Sequence, residues 1–90
     1  MFFDDYKNEC NFNVIEHFQK PHFAEPSVIV EYLHFTLGTH EYVLSTSFYK
    51  KRRNFVFSEE LVDDEKFLYV GGSFREVKEM ISKLEKENIS

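Results

Sequence analysis

Between Ser27 and Tyr49 the chain reads SVIVEYLHFTLGTHEYVLSTSFY, two runs rich in β-branched and aromatic residues on either side of GTH. Such runs suit a pleated strand, and Gly38 supplies a turn short enough to pair them as an antiparallel hairpin. Alternation puts Ile29, Leu33, Phe35 and Leu37 on one face of the first strand, with Val28, Val30, Tyr32, His34 and Thr36 on the other. In the second strand Tyr42, Leu44 and Phe48 share a face, opposite Val43, Ser45, Ser47 and Tyr49. Both faces carry apolar residues, so covering one leaves an apolar surplus on the other.

The flanks predict further elements. From residue 4 to 20, Tyr6, Cys10, Val14 and Phe18 recur four apart with Ile15 beside them, the spacing of one helix face. Asn13 and Glu16 also suit the start of a shorter second helix. PHFAEP, residues 21–26, cannot continue a helix, because both prolines lack the amide donor. After Tyr49, NFVF predicts a short third strand and KFLYV, Lys66 to Val70, a fourth. Between them SEELVDDE places five acids in the seven residues from Glu59 to Glu65, which predicts an exposed loop or a single helical turn. Gly71 and Gly72 break the last strand. Ser73 with Glu76 then forms a capping-box pattern ahead of Phe74, Val77, Ile81 and Leu84 at helical spacing. The expected fold is a single α+β domain over residues 1–90: an N-terminal helix, a three- to four-stranded antiparallel sheet, and a C-terminal helix packed on one sheet face.

Composition narrows the class. Ninety residues bury only about 60 to 70% of their unfolded surface, so the core is thin. Eleven Phe and five Tyr compensate, since each ring buries roughly 150 to 250 Å². One cysteine, Cys10, excludes a disulfide-stapled fold and favours a reducing cytoplasm. No apolar run reaches the roughly 20 residues of a membrane span, and Asp4 and Asp5 stand where a signal peptide requires positive charge.

Candidate chemistry is sparse. His17, His22, His34 and His40 lack the close ligand spacing of structural zinc; only His34 and His40 approach across the hairpin, with Glu41 nearby, and no metal or cofactor is expected. Cys10 and His17 stand seven apart without an orienting third group or oxyanion site, so no enzyme is expected. Gly71, Gly72 and Ser73 lack the pattern of a phosphate loop.

Two charged segments remain. Lys50, Lys51, Arg52 and Arg53 are four consecutive cations between Phe48-Tyr49 and Phe55-Phe57, in a chain of net charge -5. Cations interleaved with rings suit phosphates and unpaired bases. The helix, sheet, helix order resembles that of double-stranded-RNA-binding domains, but the last helix opens SFREVK, with Glu76 in place of a lysine-rich start. The acidic run Glu59, Glu60, Asp63, Asp64 and Glu65 suits a basic protein surface instead. The leading expectation is a small noncatalytic inhibitor or regulator from a phage or mobile element. It would act in the cytoplasm by occluding a partner such as a nuclease or defence factor, through Tyr32, His34, Tyr49 and those five acids. Toxin-immunity proteins and phage inhibitors share this character as a class. The alternative is a nucleic-acid module using Lys50 to Arg53, and a homodimer of paired sheets is third.

Overall fold

A computed structural model describes residues 1–89. The order is α1 (Asp4–Glu9), β1 (Asn13–Pro21), β2 (Ile29–Leu37), β3 (His40–Tyr49), β4 (Arg52–Leu61), β5 (Asp64–Gly71) and α2 (Phe74–Ile89). The strands form one antiparallel meander in the order β1-β2-β3-β4-β5, which corrects the expected three or four strands to five. The α+β class and the C-terminal helix stand as expected.

Alternation sets the core. Leu33, Phe35 and Leu37 of β2, Tyr42 and Leu44 of β3, and Phe55 and Phe57 of β4 are buried on one face, beneath Phe3, Tyr6, Phe12, Val77 and Ile81. Phe35 stacks on Phe12 with centroids 4.1 Å apart, and Phe55 on Phe74 at 5.1 Å. The aromatic surplus thus fills the thin core as parallel and edge-on rings. At α2, Ser73 Oγ accepts the Glu76 amide at 3.2 Å, the expected half of the cap. The Ser73 amide itself donates to the Tyr69 hydroxyl at 2.9 Å.

Two expectations are overturned. The helix expected over residues 4 to 20 ends at Glu9, and β1 follows. Phe12 turns into the core, and the β-branched Val14 and Ile15 favour a strand that pairs with β2. A bulge between Val14 and Glu16 breaks the two-residue alternation, which is why the segment mimics a helical period. SEELVDDE is neither loop nor helical turn. It is the end of β4, a two-residue turn at Val62 and Asp63, and the start of β5, with Leu61 paired to Asp64. Asp63 holds the left-handed conformation this tight turn needs, φ 62°.

Candidate functional site

Both helices lie on the same sheet face; the opposite face carries no helix, and only the β1–β2 connection borders it, at the end where Val30 is buried and His22, Glu25 and Val28 lie beside Ser47, Tyr49 and Asn54. Strand register arranges that open face in rows. At one end Thr36, Glu41, Glu60 and Glu65 stand opposite one another across β2 to β5. The next row runs Glu16, His34, Val43, Ser58 and Phe67, and the middle row Phe18, Tyr32, Ser45, Val56 and Val70. Then come Lys20, Val30, Ser47 and Asn54, and finally Tyr49 opposite Arg52, beside the tip residues Lys50 and Lys51. The strand residues of this face are acidic at one end, apolar and aromatic in the centre, and basic at the other, where Glu25 of the β1–β2 connection also lies.

Its centre is a concavity of about 430 Å³ bordered by Phe23, Tyr32, Val43, Val56 and Phe67. Phe18 stacks on Tyr32 at 5.2 Å, and the Lys20 ammonium lies 5.1 Å from the Tyr32 ring. Phe67 is 60% exposed, Val70 70% and Phe23 93%. His34 Nε2 is buried and lies 3.4 Å from Glu41 Oε2, within ion-pair reach but not aligned as a hydrogen bond. The carboxylates Glu41, Glu60 and Glu65 face one another directly, each such like-charge pair costing roughly 0.2–1 kcal/mol of sheet stability.

The expected site residues divide accordingly. Tyr32, His34, Tyr49, Glu60 and Glu65 share the open face. Glu59 instead pairs with Tyr42 on the covered side and accepts from His40 Nδ1 at 2.9 Å. Asp63 lies in the β4–β5 turn at the acidic end, and Asp64 opens β5 paired with Leu61, one position from Glu65 and so in the row of the covered side. The basic tetrad is also split. Lys50 and Lys51 form the two-residue hairpin tip, both in left-handed conformation at φ 52° and 64°. The Lys50 ammonium lies 5.3 Å from the Tyr49 ring, and Arg52 belongs to the open face. Arg53 points to the covered side, its guanidinium 4.3 Å from the Phe2 ring and 3.3 Å from Thr46 Oγ1.

The other sequence candidates separate. Cys10 follows α1 and hydrogen-bonds Tyr6, and burial raises the pKa of both side chains. His17 points instead to Glu31. His34 and His40 lie on opposite sheet faces, and no group of three metal-ligating side chains forms among the described residues. No helix among them is long and apolar enough to cross a membrane.

Sequence reasoning missed Glu31. It is only 4% exposed, on the core side of β2 between Ile29 and Leu33. Its carboxylate accepts the amides of Phe2 at 2.6 Å and Phe3 at 2.8 Å, and His17 Nε2 donates to it at 2.6 Å. Lys7 Nζ in turn donates to His17 Nδ1 at 3.0 Å. A charged residue in the inward row of an apolar strand was the available signal. Comparison of the chain with protein-family models, with curated proteins and with solved structures finds no match.

Proposed function

We propose that the protein is a small noncatalytic inhibitor or regulator that covers a surface of another protein with its open sheet face. The observation that carries this reading is the uncovered apolar and aromatic centre joined to a carboxylate row. Exposed apolar patches on small domains mark interaction surfaces, and a like-charged row that costs stability gains its return only against cations. The partner surface that fits is basic at one edge and apolar beside it, such as the nucleic-acid site of a nuclease or defence factor. A phage or mobile element is the fitting source, and the cytoplasm the fitting compartment. Affinity capture from host lysate tests it. Wild type retains a partner that Val43→Lys/Val56→Lys and Glu60→Lys/Glu65→Lys variants lose at least tenfold. Equal capture by all three removes the open face from the mechanism.

One observation favours a second reading, a nucleic-acid contact at the tip. Lys50 and Lys51 occupy left-handed positions that suit Asn and Gly far better, and strain of this kind often accompanies function. With Arg53 turned inward, Lys50, Lys51 and Arg52 are left to meet phosphates. The salt dependence of any binding then reflects about three contacts. Salt-independent binding, or binding unchanged in Lys50→Ser/Lys51→Ser/Arg52→Ser, excludes it.

A further inference from the structure

The charge rows of the open face match a copy of themselves turned end for end. We infer that this face is an interface between two copies of the chain, packed face to face about a two-fold axis along the sheet's hydrogen-bonding direction. This rests on the same reading of the open face as a docking surface, and gives it a definite occupant.

The register supplies the argument. Rotation about that axis lays each strand over the same strand of the second copy with its direction reversed. The row holding Phe18, Tyr32, Val56 and Val70 falls on itself. Glu16 and Lys20, two rows apart on β1 on either side of that row, exchange places, so each meets the other across the interface. Glu60 at one end of β4 comes over Arg52 at the other, and Glu41 over the hairpin tip with Lys50. The contacts are isologous, so each occurs twice. The other face-to-face arrangement, with the axis along the strands, sets Glu41, Glu60 and Glu65 on the same row of the partner and is opposed by their charge.

Size and screening agree. Five strands spaced about 4.8 Å apart give a face roughly 20 to 25 Å across. With its protruding rings such a face is of the order of the 800 Å² per partner seen in standard interfaces. Aligned sheet packing rotates the two sheets by about 30°, which moves the rows beside the axis by only a few ångströms and the Glu60 and Arg52 ends, two rows out, by about 7 Å, a gap their long side chains span. The net charge of -5 on each copy is spread over the whole surface and screened beyond about 8 Å, whereas the facing rows lie within that distance.

Sedimentation equilibrium of the full chain at micromolar concentration tests the interface. The monomer mass is 10.8 kDa, and wild type is expected at twice that mass. One variant, Glu16→Lys/Glu41→Lys/Glu60→Lys, has a face basic at both ends; another, Lys20→Glu/Lys50→Glu/Arg52→Glu, has a face acidic at both ends. Each alone is expected to be monomeric, with circular dichroism unchanged, and an equimolar mixture of the two is expected to recover the doubled mass as a heterodimer. A monomeric wild type, variants that still self-associate, or a mixture that stays monomeric overturns the proposal. The two readings of the face fail separately: a monomeric wild type that still captures a basic protein removes only the dimer, and a dimer that captures nothing removes only the inhibitor.

Discussion

Glu31 shows how one side chain fixes the start of the chain to the sheet. Its carboxylate, only 4% exposed, takes two backbone amides and a histidine, and losing the acceptor strands these largely buried donors. Glu31→Ala is expected to cost about 3 kcal/mol or more in urea unfolding, and Glu31→Gln less, since its carbonyl still accepts one amide. Equal effects would mean that packing, not the polar network, holds the segment. Three other side chains weaken the fold at alkaline pH. Burial raises the pKa of Tyr6, Cys10 and Tyr42. For each, the unfolded chain loses its proton first, near 9 for the thiol and 10 for the phenols. Their stabilising share is complete below those values and is lost as pH rises through the higher folded ones. Urea midpoints are expected to fall steadily above pH 9, and Tyr42→Phe to flatten the upper part of that decline.

Among the elements, β2, β3 and α2 were legible because each has one strong period: alternation from Ile29 to Phe48 across the hairpin, and three-and-four spacing from Phe74 to Leu84. β1 was not, because its bulge lets Ile15 and Glu16 interrupt the alternation that Val14 and His17 continue on the core side. The β4–β5 turn was hidden by composition: five acids suggest a solvated loop, yet Glu60 and Glu65 are ladder partners whose side chains stand on the open face. The apolar rows of that face were readable, but which row the helices cover depends on where α1 and α2 dock, and no local pattern encodes it. The β3–β4 hairpin carries its own test. A two-residue loop with both φ positive suits Asn-Gly, so Lys50→Asn/Lys51→Gly is expected to stabilise the fold by about 1 kcal/mol, raising Tm by roughly 4–8 °C. Unchanged or lower Tm would show that the lysines contribute contacts which offset their backbone strain.

At the scale of the molecule, the Cα envelope measures 43 × 29 × 20 Å, and its short dimension has room for one sheet and one helix layer. A two-layer domain of this kind buries one sheet face and leaves the other to water or to a partner. Folding and association are then linked, because a second copy binds only the folded chain. For a dimer that unfolds to two separate chains, each tenfold rise in protein concentration adds about 1.4 kcal/mol per dimer to the apparent stability. The urea midpoint of wild type is therefore expected to climb between 1 and 100 µM, on the order of the concentrations where such interfaces form. The Glu16→Lys/Glu41→Lys/Glu60→Lys variant keeps the same core and should unfold at one midpoint across that range. A wild-type midpoint that ignores concentration would mean that the open face is solvated in the isolated protein and waits for a different partner.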